Sequence, residues 1–242
     1  MALDGERETS PLIPETGQRE LIIGPTGSGK TLFAGWLLRR VPVSPIVIYD
    51  TKGERSFLEM RHAKAAHDWE EVHQLLGDEE CDYIVFRPPE VDPEELDGYL
   101  MDHYEELEGV PAYIDEIGDF HGRHGHAYDG LMHLLRKGRA RAETTIMSTQ
   151  RPSHISRYCY TETQKFCIFA LVHEDDQRHV AKFVPGYKGL PQPPPYAFYF
   201  RSITDGQQPP RLVPAIKLDH PIDTSHAPGA VSDEPEERFT WL

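Results

Sequence analysis

Residues 24–31 carry the most specific chemistry in this sequence. They read Gly-Pro-Thr-Gly-Ser-Gly-Lys-Thr and match the pattern G-x-x-x-x-G-K-[ST] in full. In such a loop the glycines let backbone N–H groups surround phosphate oxygens, the lysine reaches the β- and γ-phosphates, and the last hydroxyl binds Mg²⁺. We therefore expect Lys30 to contact the phosphates of a nucleotide and Thr31 to be a magnesium ligand. The predicted nucleotide-binding residues are Gly24, Pro25, Thr26, Gly27, Ser28, Gly29, Lys30 and Thr31.

A pair of acids, Asp115 and Glu116, follows a short apolar run at residues 111–114. A magnesium-dependent nucleoside triphosphatase needs an acid at the end of a strand beside the phosphate loop, and a group that positions the attacking water. We expect Asp115 to act on Mg²⁺ through its water shell and Glu116 to polarise the water. The alternative is that the pair only marks the end of a strand. No NKxD-like segment that reads guanine is present, which favours ATP over GTP.

The hydrophobic pattern predicts the elements that position these residues. Short apolar runs predict strands at residues 20–23, 46–50, 83–86, 111–115, 144–149, 166–171 and 196–200, the last as an edge strand after a proline-rich connector. Helical spacing and helix-start signals predict helices at residues 31–40, 55–76, 92–108, 127–138 and 174–183. Strands that alternate with helices imply an α/β fold, with a mostly parallel sheet and helices on both faces.

Length and composition limit the domain organisation. The 242 residues suffice for one full hydrophobic core and leave no room for a second large domain beside it. We expect a loose leader at residues 1–18, a P-loop nucleotide-hydrolysing domain at residues 19–204, and a polar, partly disordered tail at residues 205–242 that is rich in Pro, Gln, Asp and Glu. No stretch has the apolar length that a membrane span needs.

The net charge of −15 is unusual for a protein that binds nucleic acid, because such proteins are commonly basic. Any contact with nucleic acid would therefore come from a local group of basic residues. The three cysteines, Cys81, Cys159 and Cys167, are few and show no CxxC spacing, which argues against a disulfide framework and against a zinc site. We expect them to be buried thiols.

Four segments resemble the FtsK/HerA superfamily of DNA-pumping ATPases. The run Ser-Thr-Gln-Arg-Pro-Ser at residues 148–153 looks like the strand end, sensor glutamine and Arg-Pro-Ser of that superfamily, and Arg-Lys-Gly-Arg-Ala-Arg at residues 136–141 looks like its Gly-Arg segment. Residues 46–57 resemble its second strand and Asp-x-x-Gly-Glu turn, and residues 166–180 resemble the strand, polar turn and helix of the HerA branch. The likeness covers about residues 19–185.

This resemblance implies a P-loop NTPase fold of the RecA/ASCE type, with ATP and Mg²⁺ as cofactors. It implies that Gln150 senses the γ-phosphate and that Arg139, which matches the arginine of the Gly-Arg segment, reaches the ATP of a neighbouring subunit. Arg136 and Arg141 remain rivals for that role, and a solvated basic face is the other interpretation of the segment. The predicted catalytic residues are Lys30, Glu116, Gln150 and Arg139, and the predicted metal-site residues are Thr31 and Asp115.

The resemblance also implies double-stranded DNA as a partner and a homo-oligomeric ring, pentameric or hexameric. Because neither a HerA-type barrel nor an FtsK-type winged helix is found, the sequence most resembles the genome-packaging ATPases of tailless, internal-membrane viruses with double jelly-roll capsid proteins. This implies a location in the host cytoplasm or at a virion vertex, and a capsid or membrane vertex protein as a further partner. The alternatives are a plasmid, conjugative or cellular DNA pump, a small-molecule kinase, and a slow nucleotide-binding assembly factor.

Three histidines lie within residues 121–126, directly after the acid pair. Because no acidic or cysteine partner stands at ligand spacing, a pore-facing loop that carries Arg123, or an ordinary surface loop, is favoured over a metal site. Arg151, Arg157 and Lys165 are candidates for positive charge near a DNA path.

Overall fold

The fold comes from a computed structural model that describes residues 10–89, 92–122, 125–206 and 208–216. The strands are β1 (Arg19–Ile23), β2 (Ile46–Tyr49), β3 (Ala63–Ala66), β4 (Tyr83–Phe86), β5 (Ala112–Ile114), β6 (His121–Gly122), β7 (His126–Ala127), β8 (Thr145–Thr149), β9 (Lys165–Phe169), β10 (Phe198–Ser202) and β11 (Arg211–Val213). The helices are α1 (Lys30–Leu38), α2 (Arg55–Leu58), α3 (Trp69–Leu76), α4 (Pro93–Glu106), α5 (Asp129–Lys137), α6 (Tyr158–Thr161) and α7 (Glu174–Phe183).

The main sheet has nine strands in the order β11-β10-β9-β1-β8-β5-β2-β4-β3. The strands from β9 through β3 in this order run parallel to one another, whereas β10 pairs antiparallel with both β9 and β11. β1 lies between β9 and β8, so the loop after β1 opens at the carboxyl edge of the sheet, the place where open α/β sheets bind ligands. The predicted mostly parallel α/β fold is confirmed.

Helices cover both faces of the sheet, because the central strands turn alternate side chains to opposite sides. Leu21 and Ile23 of β1 belong to the same buried cluster as Leu100 of α4. Ile22, between them, belongs to the cluster on the other face, where it packs with Phe33 of α1. Each such side chain stabilises the fold by about 1.5–3 kcal/mol when it is fully buried.

Two aspartates fix the starts of α4 and α5. The Asp92 carboxylate accepts hydrogen bonds from backbone N–H groups two and three residues ahead, beside Pro93 in the first turn. Asp97, within α4, accepts hydrogen bonds from the N–H groups of Gly130 at 2.6 Å and Leu131 at 2.7 Å. A Cβ on Gly130 would lie 2.2 Å from the Asp97 carbonyl oxygen, so α4 and α5 approach as closely as a glycine allows. α5 leads directly into the arginine-rich segment before β8.

The predicted helix at residues 55–76 is wrong. The chain forms the short helix α2, then the strand β3, which pairs with β4 at the edge of the sheet, and then α3. His62 stands before β3 with φ 62, in the left-handed region that a continuous right-handed helix does not contain. Asp68 then begins a new helix by accepting a hydrogen bond from the N–H of Glu71 at 2.8 Å. An alanine-rich strand of four residues has too little pattern to be separated from its helical neighbours.

The predicted position of the last strand at the edge of the sheet is also wrong, because β11, from the predicted tail, pairs with β10 on its outer side. The described part of the predicted leader is packed rather than loose. Leu12 is buried, and the carbonyl oxygen of Ile13 accepts a hydrogen bond from Lys165. The limits of the motor domain at residues 19 and 204 stay a prediction, but packed segments extend beyond both. No helix in the described part of the chain has the length and apolar character that crossing a membrane requires.

Candidate nucleotide-binding site

The loop between β1 and α1 has the backbone shape that a phosphate site requires. Gly27 and Gly29 lie at φ 77 and φ 99, in the left-handed region that glycine adopts without strain. A Cβ on Gly29 would lie 2.9 Å from Cδ1 of Tyr196, and a Cβ on Gly24 would lie 2.7 Å from Cβ of Phe169. The glycines of the motif are therefore needed both for the turn and for the close packing beneath it.

The Lys30 side chain is largely buried beneath this loop. Its Nζ donates a hydrogen bond to the carbonyl oxygen of Pro25 at 3.0 Å. Burial lowers the pKa of the ammonium to about 8, and the nearby carboxylates of Glu116 and Asp115 offset this only in part. A cation that has lost water and gained mainly a backbone carbonyl is well placed to bind an anion.

Asp115 lies at the carboxyl end of β5, next to β8 in the sheet. It is nearly fully buried, and its Oδ1 accepts a hydrogen bond from the hydroxyl of Tyr113 at 2.9 Å. Burial raises the pKa of this carboxyl to about 6, although the hydrogen bond from Tyr113 lowers it. Ser148 of β8 donates a hydrogen bond to the Asp115 carbonyl oxygen, which ties the ends of the two strands together.

Glu116, the next residue, has its carboxylate held by two donors. Its Oε2 accepts a hydrogen bond from Nζ of Lys52 at 3.0 Å and another from the backbone N–H of Gln150 at 3.1 Å. Lys52 lies in the turn after β2, and this turn is itself held by Asp50. The Asp50 carboxylate accepts hydrogen bonds from the N–H of Glu54 and from Nε of Arg87, both at 2.9 Å.

Gln150 joins the phosphate loop to Glu116. Its side-chain Oε1 accepts a hydrogen bond from the hydroxyl of Thr26 at 2.7 Å, while its backbone N–H bonds Glu116. Both contacts form at the carboxyl end of β8, because β8 lies between β1 and β5. The structure therefore brings together Thr26, Lys30, Asp115, Glu116 and Gln150, which the sequence predicted separately.

Arg139 lies at the opposite edge of the sheet. It belongs to the short turn Gly138–Arg141 that precedes the amino end of β8, and its side chain is exposed. A Cβ on Gly17, before β1, would lie 3.4 Å from the Arg139 carbonyl oxygen. A five-residue strand such as β8 spans roughly 16 Å, so Arg139 is remote from the phosphate loop of its own subunit.

The rival arginines have other partners. Arg141 donates through Nε to Glu143 at 2.9 Å, and its guanidinium lies 4.9 Å from the ring centre of Tyr104. Arg136 is exposed and lies 5.9 Å from the ring centre of Tyr158. Among the residues that the structure describes, Arg141 is the one of the three arginines that an ion pair holds.

Two residues at the site were missed by sequence reasoning. Lys52 occupies a variable position of the Asp-x-x-Gly-Glu turn. Its place in that motif was a signal that it faces the nucleotide site. Tyr196 follows a run of prolines and lies beside Gly29, far away in sequence. Nothing in the local pattern around Tyr196 indicates that contact.

His121 and Lys165 have structural roles. The backbone N–H of Ser156 donates to Nε2 of His121 at 3.0 Å, which leaves Nδ1 to donate to the Ile117 carbonyl oxygen at 2.7 Å. Within the described ranges, no three His, Cys, Asp or Glu side chains come together as a metal-ligand group, and Arg123 lies outside those ranges. Lys165 is buried and bonds the carbonyl oxygen of Ile13, so its assignment to a DNA path is wrong. The three cysteines are free and buried, as predicted.

The geometry fits a nucleoside triphosphate with Mg²⁺. The glycine cradle and the desolvated Lys30 suit the phosphates, and the Thr31 hydroxyl and Asp115 carboxylate are hard oxygen donors of the kind that Mg²⁺ prefers. Mg²⁺ commonly takes one or two protein oxygens and completes its shell with phosphate and water. A larger group of protein ligands is therefore not required.

Known proteins that are similar to this chain include nucleotide-hydrolysing enzymes, in agreement with a nucleotide-binding site. No protein-family profile matches the chain. The chain is 27% identical over 176 residues to the DNA packaging ATPase P9 of Enterobacteria phage PRD1, across 72% of this chain and 73% of that protein.

Solved structures of the genome-packaging NTPase B204 have the same fold. B204 of Sulfolobus turreted icosahedral virus 2 in complex with AMPPCP superposes with a TM-score of 0.66 at 16% identity, over 83% of this chain and 98% of B204. B204 of Sulfolobus turreted icosahedral virus, described as a DNA-packaging ATPase, superposes with a TM-score of 0.62 at 16% identity, over 84% of this chain and 100% of that one. The chain is thus similar in sequence to a viral DNA-packaging ATPase and has the fold of viral genome-packaging NTPases, which confirms the resemblance that its motifs indicate.

Proposed function

We propose that this protein is an ATPase that moves double-stranded DNA, and that it packages a viral genome. The observation that carries the ATPase part is the chain of contacts from Thr26 through Gln150 to Glu116. It connects the phosphate loop after β1 to a carboxylate after β5, across the end of the intervening strand β8. The packaging part rests on the similarity to P9, which extends over 72% of the chain.

The chemistry follows from the position of each group. Lys30 exchanges its bond to the Pro25 carbonyl for the phosphates, and the Glu116 carboxylate takes a proton from the attacking water. Thr31 and, through a water, Asp115 would hold Mg²⁺, which when bound neutralises charge on the β- and γ-phosphate oxygens. These roles use only side chains that the fold directs to the carboxyl edge of the sheet.

Gln150 is suited to report the state of the nucleotide. Its amide can donate to a phosphate oxygen and accept from a hydroxyl or water. A γ-phosphate that accepts a hydrogen bond from the amide nitrogen would turn the side chain and disturb the bond between Oε1 and the Thr26 hydroxyl, while the backbone N–H of Gln150 stays on Glu116. Loss of the phosphate would then move the end of β8, the strand whose other end carries the arginine segment.

Arg139 completes the site of a neighbouring subunit in this proposal. It lies too far from its own phosphate loop to act there, and it is exposed. Arginines supplied from another subunit speed phosphoryl transfer by about 10³- to 10⁵-fold in other enzymes. We therefore infer that the protein works as a homo-oligomeric ring, pentameric or hexameric, in which each ATP lies between two subunits.

DNA contact must be local, because the chain has a net charge of −15. Arg136 and Arg157 lie 5.9 and 5.1 Å from the ring centre of Tyr158 and form an exposed basic pair near the end of α5. Binding through such residues should not depend on DNA sequence. It should weaken steeply with salt, by about 10³-fold between 50 and 200 mM for six phosphate contacts.

The proposal places the protein in the host cytoplasm or at a virion vertex, with a capsid or membrane vertex protein as its anchor. The test is an ATPase assay with and without linear duplex DNA, run beside a mass measurement of the assembled state. We expect duplex to stimulate turnover of an oligomer and Lys30→Ala to abolish it. An ATPase rate that is the same with and without DNA would favour a slow assembly factor. Phosphate transfer to a small acceptor would favour a kinase.

A further inference from the structure

A cavity of about 140 Å³ lies beside the phosphate loop, on the side away from Glu116. It is formed by the loop itself and by the segments that follow β9 and precede β10. Its lining includes Ser28, Ala170, Pro194, Pro195, Tyr196 and Ala197. The proposed catalysis uses none of these side chains.

The cavity lies where the nucleoside end of a bound nucleotide is expected. β1 lies between β8 and β9 in the sheet, and Glu116 and Gln150 follow β5 and β8 on one side of it. The terminal phosphate of a bound nucleoside triphosphate would point toward Glu116 and Gln150. Its nucleoside would then lie on the opposite side of the phosphate loop. That direction leads toward β9 and β10, where the cavity opens.

Tyr196 is held in an uncommon conformation at the wall of the cavity. Its φ is 61, in the left-handed region that costs energy for a residue with a side chain, and its side chain is 43% exposed. The proline run before it is stiff, and Ala197 after it is buried directly before β10. The ring lies beside Gly29, and its Cδ1 is 2.9 Å from the place where a Cβ on Gly29 would stand.

The size and lining of the cavity indicate what it can bind. Pockets for whole small molecules measure about 300–1,000 Å³, so this one suits a single flat ring system of a larger ligand. None of the lining residues carries a charge. Stacking on an aromatic face does not depend strongly on the identity of the base, because every base has a π-face.

We propose that this cavity, the base cavity, takes the purine ring of the bound nucleotide by stacking on Tyr196, and that it accepts adenine and guanine alike. The proposal rests on the proposed function, because it requires the triphosphate to occupy the loop at residues 24–31. It adds a residue for nucleotide affinity, and it replaces the preference for ATP over GTP expected from the sequence with equal affinity for the two purines.

The test measures binding of ATP, GTP and inorganic triphosphate, each with Mg²⁺, to the full chain by calorimetry. Tyr196→Gly removes the ring and relieves the backbone, because glycine favours the observed φ. We expect the Kd for ATP and for GTP to rise about 5- to 100-fold in this variant, with the Kd for inorganic triphosphate unchanged. Tyr196→Phe keeps the ring and should stay within about twofold of the wild-type protein, as expected when the stacking face is retained.

Ile203→Ala is the matched control, because Ile203 is also an exposed apolar residue but lies at the other end of β10. An unchanged Kd for ATP in Tyr196→Gly would overturn the base cavity and leave the proposed function intact. An equal loss for ATP and inorganic triphosphate would also overturn it, because the defect would then lie in the phosphate loop. More than tenfold preference of the wild-type protein for ATP over GTP would refute the equal acceptance of purines. A wild-type protein that binds none of the three ligands would contradict the proposed function as well.

Discussion

Nζ of Lys52 and Oε2 of Glu116 lie 3.0 Å apart, across the carboxyl edge of the sheet. The same Glu116 oxygen also accepts the N–H of Gln150. A carboxylate oxygen that already accepts two hydrogen bonds is a weaker base, so we infer that the contact with Lys52 holds Glu116 in a resting arrangement. Lys52 is the partner that can leave, because its flexible side chain is about one third exposed.

We expect Lys52→Met to raise ATP turnover in the absence of DNA several-fold, because Glu116 then loses one of its two donors. Lys52→Arg keeps a donor at this position and should resemble the wild-type protein. The ion pair is partly exposed, so the free energy of unfolding should change by no more than about 1 kcal/mol. The check is a steady-state ATPase rate without duplex. A lower rate in Lys52→Met would mean that Lys52 positions Glu116 for catalysis.

Lys30 gives the binding of ATP a pH dependence. The pKa of its ammonium is lowered to about 8, so the nucleotide-free protein loses this charge as the pH rises through that value. We expect the Kd for ATP to rise above about pH 8, by at most tenfold per pH unit. Titrations between pH 7 and 9.5 test this. Lys30→Ala should bind ATP weakly and without this dependence, and a flat wild-type profile would contradict the assignment.

The same shift has a consequence for stability. The folded protein releases the Lys30 proton near pH 8 and the unfolded chain near 10.5, so the unfolded state binds more protons between these values. The contribution of Lys30 to the free energy of unfolding therefore increases with pH across this window. Lys30→Ala removes a buried cation, so this variant should remain folded, with a melting temperature equal to or above that of the wild-type protein.

Glu116→Gln should bind ATP but hydrolyse it at least about 100-fold more slowly, because an amide of the same shape cannot act as a base. The Gln150 N–H and Lys52 can still donate to the amide oxygen, so the site should keep its shape. Asp115→Asn is the matched comparison, and its defect should appear chiefly as a higher Mg²⁺ requirement. Wild-type turnover in Glu116→Gln would show that another group activates the water.

Arg139→Ala should bind ATP and assemble normally, yet hydrolyse about 10³-fold more slowly or worse. A mixture with Lys30→Ala subunits, each inactive alone, should recover some turnover, because some interfaces then pair an intact Lys30 with an intact Arg139. The measurement is turnover against mixing ratio, with mixed oligomers verified by mass. If no ratio restores activity, Arg136 becomes the next candidate, since Glu143 already engages Arg141.

Local patterns predicted the parts of the fold in which one element is long and well marked. The pair Asp92 and Pro93 correctly predicted the start of α4. The apolar runs predicted the central strands to within a few residues. The pattern failed at β3, whose strand character comes from pairing with β4 rather than from its own sequence. It also failed at β11, which is added to the sheet by three residues of the predicted tail.

The residues of the candidate site likewise fall into a group that the sequence predicted and a group that it did not. The phosphate loop and the acid pair were predictable because their chemistry needs fixed residue types at short spacing. The contact between Lys52 and Glu116 joins residues 64 apart in sequence, and Tyr196 reaches Gly29 from far along the chain. Such pairs depend on strand order. The remoteness of Arg139 from its own phosphate loop likewise required the sheet register, which places it at the amino edge.

Movement along DNA is the central claim, and displacement of a third strand from linear duplex measures it directly. The wild-type oligomer with ATP and Mg²⁺ should release a triplex-forming strand, at a rate that falls with its distance from the DNA end. Glu116→Gln should bind the duplex and release nothing. ATP hydrolysis by the wild-type protein without any strand release, under conditions in which it binds the duplex, would contradict the account.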